Sequence, residues 1–404
     1  MKNILYIPQY TMQSKTTGKF LLDADENINI ANYILNNIDP YIYNMTCVLP
    51  ESYQIDQTIS IEDIFKPLTP QFVFSSFPTN NVLQRYHFDA NFYYNLLKNN
   101  QYDVIINNVD TNSRNIRAIL ENLKSSMKLI TFVHFIDLPS KYVTTKMTSY
   151  FRRQIDSALA SDCTWFLSKL NLTNFLLEAV PFVTADEYMR LCDTCIVMPL
   201  VFSDSNLRSR IATANTFPSL HGNRKTVIFP NRLSENNYTH HVNFIGAVNN
   251  VYKKIDFDVY MTNPNEGISY DILEKEVDNI VFPFGKRRLN RSEYFRLLCS
   301  SDFIVALFRE THGGTACREA IYAGAIPIIP SRNDYLMLRD QLFYDMDFKM
   351  VDDDLSNLEE VLEYYLTKFD IENYRKKHLP KVLERLAIIE SVEYNIPHFI
   401  HNIH

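Results

Sequence analysis

The chain has 404 residues, 46% of them hydrophobic, and a formal net charge of −7. That length suggests two or three domains, and the apolar content is enough for a sizeable core. The acidic balance argues against a globally basic nucleic-acid binder and leaves room only for a local basic groove. Six cysteines are scattered along the chain, and only Cys192 and Cys195 form a CxxC. Without a second ligand pair at metal spacing, they argue against a zinc site and for a reducing compartment.

In chain order, Met1-Lys2-Asn3 runs straight into "ILYIP", too short for a signal peptide and suited to a buried first strand. The loop "QYTMQSKTTGKF" follows, then "DADENINIANYIL", which predicts a helix. "YDVIINNV" (102–109) and "MKLITFVHF" (127–135) predict strands. Between them "TNSRNIRAILENLKSS" predicts a helix with a Thr/Asn/Ser start. "CTWFLSKLNLTNFLLEA" continues the alternation, and "TCIVMPLVFSDS" (194–205) closes this first set in a polar stretch. The pattern then restarts with the strands "KTVIFPNRL", "FDVYMTN", "DNIVFPFG", "DFIVALF" and "AIPIIP", and with the helices "RSEYFRLLCS" and "TACREAIYAG". Such alternation is the signature of βαβ units on a parallel sheet. A helical tail ends the chain. No run approaches the ~18 apolar residues of a spanning helix.

The segment "RETHGGTACREAIYAGAIPIIPS" (309–331) holds three of the eight glycines. Gly313 and Gly314 suit a tight turn, and Gly324 suits a helix C-terminus. The backbone amides of Gly314, Thr315 and Ala316 at a helix start would offer an anion site. Glu319 is placed to accept a hydrogen bond from a ribose hydroxyl. Arg232 and Lys286, on loops after strands, are placed to neutralise a diphosphate. His312 sits beside the glycine pair.

This context resembles the donor-binding segment of the retaining GT-B glycosyltransferases. Glu310, Gly313 or Gly314, Glu319 and "GAIPII" (324–329) match that family's paired acids, glycine and strand. "FPNRL" is similar to its arginine loop, and residues 281–307 to its base-binding strand and helix. The acids here stand one residue further apart than is usual, and Asn237 occupies the place of a frequent lysine. The resemblance implies an α/β chain of two Rossmann-like doubly wound domains facing a central cleft. The expected division is an acceptor domain over 1–205, a donor domain over 206–385, and a tail over 386–404 that packs back on the N-terminal domain. It implies that Glu310 touches the donor's sugar hydroxyls and that the reaction retains configuration.

In the N-terminal half, Gly18 and Lys19 in "SKTTGKF" are placed to approach donor phosphates. Asp110, His134 and Asp137 stand at strand ends as candidate catalytic groups. Asp110 could equally cap the following helix. "TTGKF", "DVIINNV" and "ITFVHFID" are distantly similar to the DNA α-glucosyltransferases of T-even phages. That likeness suggests a hydroxymethylated pyrimidine in phage DNA as acceptor and a cytoplasmic location. A surface or lipid-linked glycan acceptor, a UDP-sugar epimerase and a non-catalytic binder are the alternatives. The DxD-like "DAD" (23–25), "DFD" (256–258) and "DMD" (345–347) do not fit the strand context of a metal site, so no metal or other cofactor is expected. The basic stretch 374–386, interrupted by Pro380, is the one modest candidate for a membrane surface.

Overall fold

The computed structural model describes residues 1–10, 13, 17–22, 25–55, 60–65, 68–77, 87–133, 136–139, 145–198, 204–218, 220, 222, 224–230, 240–262, 280–285, 289–307, 315–332 and 334–392. The chain divides into two compact units that meet in sequence at Val201 and Phe202.

The first unit is built on a seven-stranded parallel sheet. Its strands are β1 (Lys2–Ile7), β2 (Tyr43–Pro50), β3 (Gln71–Ser75), β4 (Val104–Asn107), β5 (Lys128–Val133), β6 (Cys163–Phe166) and β7 (Cys195–Val197). They lie in the order β3-β2-β1-β4-β5-β6-β7. The order reverses direction between β1 and β4, where Ile4 pairs with Val104 and Ile7 with Asn107. The apolar run Ile4-Leu5-Tyr6-Ile7 is at most 1% exposed. Ile4 and Tyr6 enter one core cluster, while Leu5 and Ile7 enter another on the opposite face. Burial on both faces is why this strand reads as a continuous apolar run and not as an alternation.

Helices α1 (Glu26–Asn37), α2 (Ala90–Asn99), α3 (Ser113–Asn122), α4 (Thr145–Ala160), α5 (Lys169–Ala179) and α6 (Ala185–Thr194) accompany this sheet. Asp25 caps α1, Asp89 caps α2 through the Phe92 amide at 2.9 Å, and Thr184 with Glu187 forms a capping box on α6. Each side chain satisfies a backbone donor that the helix leaves open.

The second unit repeats the winding with five parallel strands: β8 (Thr226–Phe229), β9 (Asp258–Met261), β10 (Ile280–Val281), β11 (Phe303–Val305) and β12 (Ile326–Ile328). Their order is β10-β9-β8-β11-β12, so the reversal falls between β8 and β11. Its helices include α7 (Asp204–Asn215), α8 (His241–Tyr252), α9 (Arg291–Cys299), α10 (Thr315–Tyr322), α11 (Asp334–Leu342), α12 (Leu358–Thr367) and α13 (Leu379–Val392). Phe244 of α8 stacks on Phe229 with centroids 4.6 Å apart. Val382 and Leu386 of α13 are buried in the same core. Pro380 follows closely on a π-helical turn, Tyr374–His378, that runs into α13 without a break.

Two basic residues near this C-terminal helix, Arg375 and Arg385, are committed to the fold. Arg375 donates to the Gly324 and Ser301 carbonyls and pairs with Asp302 at 3.1 Å. Arg385 makes a bidentate pair with Asp345 at 2.7 and 2.6 Å and lies over the Tyr344 ring. The bonds from Arg385 hold the Asp345 carboxyl down at about 2. A depressed carboxyl stabilises the fold above its unfolded pKa and loses that contribution as pH falls through the folded value. Because the pair is partly solvated, Asp345→Asn should cost under about 1 kcal/mol at pH 7. It should cost nothing below pH 2. Urea melts of both proteins at the two pH values measure this difference.

Candidate functional site

In doubly wound sheets, ligands bind beyond the carboxyl ends of the strands, where the strand order reverses. In the second unit that place is the end of β8 and β11. The described chain stops there at Pro230 and Leu307 and resumes, after β11, at the first residue of α10, Thr315. Arg232, Lys286, Glu310, His312, Gly313 and Gly314 lie outside the described residues.

Helix α10 starts at Thr315, as the glycine-pair reading predicts, and leaves its first amides at the carboxyl side of the sheet. Ala316 is partly exposed in that first turn. Gly324 ends the helix with φ +91. The Ala325 amide returns to the Ala320 carbonyl at 2.9 Å, closing the C-terminus as a left-handed glycine allows.

Glu319 is 1% exposed and already engaged on both oxygens. Oε1 pairs with Nη2 of Arg291, and Oε2 accepts from the Tyr294 hydroxyl at 3.0 Å. Arg291 and Tyr294 are three residues apart on α9 and share one helix face. The Arg291 guanidinium also lies over the Phe295 ring, 5.0 Å from its centroid. Arg210 of α7 completes the cluster. Burial pushes its guanidinium down to about 10, repulsion from Arg291 adds to this, and Glu319 opposes it. The Tyr294 hydroxyl is raised well above its usual range by burial and then by the Glu319 charge. Each carboxylate oxygen holds one of these bonds and keeps acceptor capacity for another. In this arrangement the acid holds two partners in place beside the start of α10, and two cations face one carboxylate.

The first unit brings two of the predicted acids together through a residue that the sequence reading missed. Gln154 of α4 is fully buried. Its amide nitrogen donates to Asp110 Oδ2 at 2.6 Å, and its oxygen accepts from the Asp137 amide at 3.1 Å. Asp110 does not cap α3; Asn112 holds the cap position, without a side-chain cap bond. His134 lies outside the described residues. Gly18 has φ +69, a conformation that favours glycine, and Lys19 beside it is exposed.

The DxD-like aspartates have other partners. Asp256 and Asp258 both pair with Arg224, Asp345 pairs with Arg385, and Asp347 accepts from the Tyr364 hydroxyl. Asp25 caps α1. Cys192 is exposed at the end of α6 while Cys195 is buried in β7, so the CxxC straddles a helix–strand junction.

Comparison with known proteins gives one relative in sequence and several in structure. No family model matches the chain. A tRNA-queuosine alpha-mannosyltransferase of Drosophila melanogaster is 24% identical over 216 residues. That alignment spans 49% of this chain and 55% of the relative, so the match covers about half the length of each. Among solved structures, the alpha,alpha-trehalose 6-phosphate synthase of Burkholderia multivorans superposes with a TM-score of 0.69 at 11% identity, covering 100% of this chain and 98% of that one. The E. coli trehalose-6-phosphate structure with bound UDP-2-fluoro glucose gives 0.63 at 11% identity, covering 100% and 99%. HepE of Anabaena, in complex with UDP-glucose, gives 0.59 at 13% identity, covering 100% and 98%.

Proposed function

We infer from the GT-B fold of this chain, shared over its full length with structures that hold UDP-glucose or its fluoro analogue, that it is a glycosyltransferase using a UDP-sugar. The observation that carries this reading is the cationic cluster at the start of α10, at the place where such sheets bind ligands. The acceptor oxygen forms a bond to the anomeric carbon, and the bond from that carbon to the diphosphate oxygen breaks. The diphosphate leaves with the electron pair, and the acceptor proton passes to it or to a nearby base. The helix amides, with Arg210 and Arg291, oppose the charge that grows on the leaving group. Arg232 and Lys286 are proposed to add to that field. Glu310 is proposed to hold the sugar hydroxyls, and the paired acids support retention at the anomeric carbon.

The acceptor we propose is a hydroxyl on a modified nucleoside. The N-terminal sequence suggests a hydroxymethylated pyrimidine in phage DNA, and the Drosophila relative is named for a tRNA nucleoside. Six free cysteines support a reducing, cytoplasmic setting. Among the described residues no helix is long and apolar enough to cross a membrane.

A panel of UDP- and GDP-sugars tests this reading. UDP-sugar at a hundred times its Kd should stabilise the protein by about 2.7 kcal/mol, seen as a rise of several degrees in Tm. Sugar release should increase when hydroxymethylated DNA or bulk tRNA is added. Absence of any nucleotide shift would remove the donor-site assignment. A shift with no response to either nucleic acid would remove the nucleoside acceptor alone.

A further inference from the structure

The described chain leaves β11 at Leu307, at the carboxyl end of the second sheet and beside its reversal point. How the strand is held there decides where the next residues go. In the ladder with β12, Val305 pairs with Ile328, and the Ala306 amide still donates to the Ile328 carbonyl at 3.1 Å. The following donor on the β12 side would come from Pro330, which has no amide hydrogen. Backbone pairing between the two strands therefore stops at Ala306.

A side chain takes over. Arg332 Nη2 donates to the Leu307 carbonyl at 2.8 Å. Its Nη1 donates to the Asp353 carbonyl at 2.8 Å and to Asp353 Oδ1 at 3.2 Å. The guanidinium is a rigid planar fork, so bonds on two of its nitrogens fix its orientation. The side chain is 12% exposed, and little water competes for these bonds. The backbone beneath it is also tied down. Pro330 bridges to Val351, the Ser331 amide donates to the Val351 carbonyl at 2.7 Å, and the Val351 amide donates to Ile329 at 2.9 Å.

Water can satisfy a carbonyl at a strand end. Here a charge-assisted bond, roughly twice as strong as a neutral one, holds the exit of the strand that runs toward Glu310. Helix α10 is fastened from another side, by Glu319 and its partners on α9. The strand exit and the helix start thus have separate fastenings.

We propose that Arg332 is a positioning residue for the sugar of the donor. It sets the direction in which the chain leaves β11 toward Glu310, while the Glu319 cluster serves the diphosphate. The inference rests on the transferase reading and on the role proposed for Glu310.

The test titrates UDP, UDP-glucose, UDP-galactose and UDP-N-acetylglucosamine into the full chain by calorimetry. In Arg332→Met the affinity for UDP should stay within twofold, while the best-bound UDP-sugar weakens tenfold or more. Glu319→Gln should weaken UDP and that UDP-sugar together. If Arg332→Met does not fold, Arg332→Lys takes its place. The lysine keeps the charge but lacks the fork that spans both carbonyls, so the same split should appear with at least a threefold loss. A folded Arg332 variant that binds the UDP-sugar like the natural protein would overturn the proposal. So would equal losses for UDP and the UDP-sugar, the result expected of a merely structural cross-link. A natural protein that binds none of the four nucleotides would instead remove the transferase reading itself.

Discussion

Glu319→Ala should abolish UDP-sugar binding and cost about 1–3 kcal/mol of stability, because the part-buried Arg291 and Tyr294 lose the buried carboxylate that holds them. The cost follows from three contacts. Arg291 would lose its carboxylate, the Tyr294 hydroxyl its acceptor, and Arg210 a charge that raises its pKa. With the acid gone, Arg291 and Arg210 repel each other across a cavity, so the cationic arrangement at α10 does not survive. Glu319→Gln separates the two effects. It keeps the shape and the Tyr294 hydrogen bond, so most of the stability should return, while the ion pair and the donor affinity remain weakened. Urea melts give the first quantity and UDP titration the second. A folded Glu319→Gln or Glu319→Ala protein that binds UDP-sugar like the natural one would remove this cluster from the donor site.

Asp302→Ala should cost on the order of 3 kcal/mol and leave UDP affinity unchanged. Asp302 is 6% exposed and stands at the start of β11, away from the carboxyl ends. Its Oδ2 accepts from the Thr226 amide at 2.9 Å, and its Oδ1 pairs with Arg375. One carboxylate therefore ties the two central strands of the second sheet to the segment that leads into α13. Removing it strands a buried backbone donor and the Arg375 charge together. A change of affinity without a change of stability would show that this end of the sheet takes part in binding after all.

Much of this architecture was legible because parallel strands buried on both faces stand out as short apolar runs. "NILYIP", "DVIINNV" and "DFIVALF" each became a central strand. Helix α7 was not legible. Its sequence DSNLRSRIATAN has few apolar residues, and its place is set by packing that includes Leu207 and Ala214. Strand β2 was missed because Asn44 and Thr46 interrupt its apolar pattern. In the site, Glu319 was found from its position after a helix start. Its partners Arg291 and Tyr294 lie 28 and 25 residues away, in the stretch "RSEYFRLLCS" that was read as a helix and given no role in the site. Their three-residue spacing on one helix face was the available signal. Gln154 gave none, since a glutamine within a helix 44 residues from Asp110 has no local pattern to mark it.

The position of β1 carries a consequence for synthesis. It is made before both of its neighbours, yet it lies mid-sheet, and its partners Met45 and Val104 come much later in the chain. No hairpin can shelter it, because its pairings are parallel and each needs a long crossover. On a ribosome adding about 5–20 residues per second, the apolar Ile4–Ile7 run waits seconds for β4 to emerge. During that interval it is a target for chaperones and for mispairing with neighbouring chains. The winding that reverses the strand order beside β1 therefore also delays the burial of that strand.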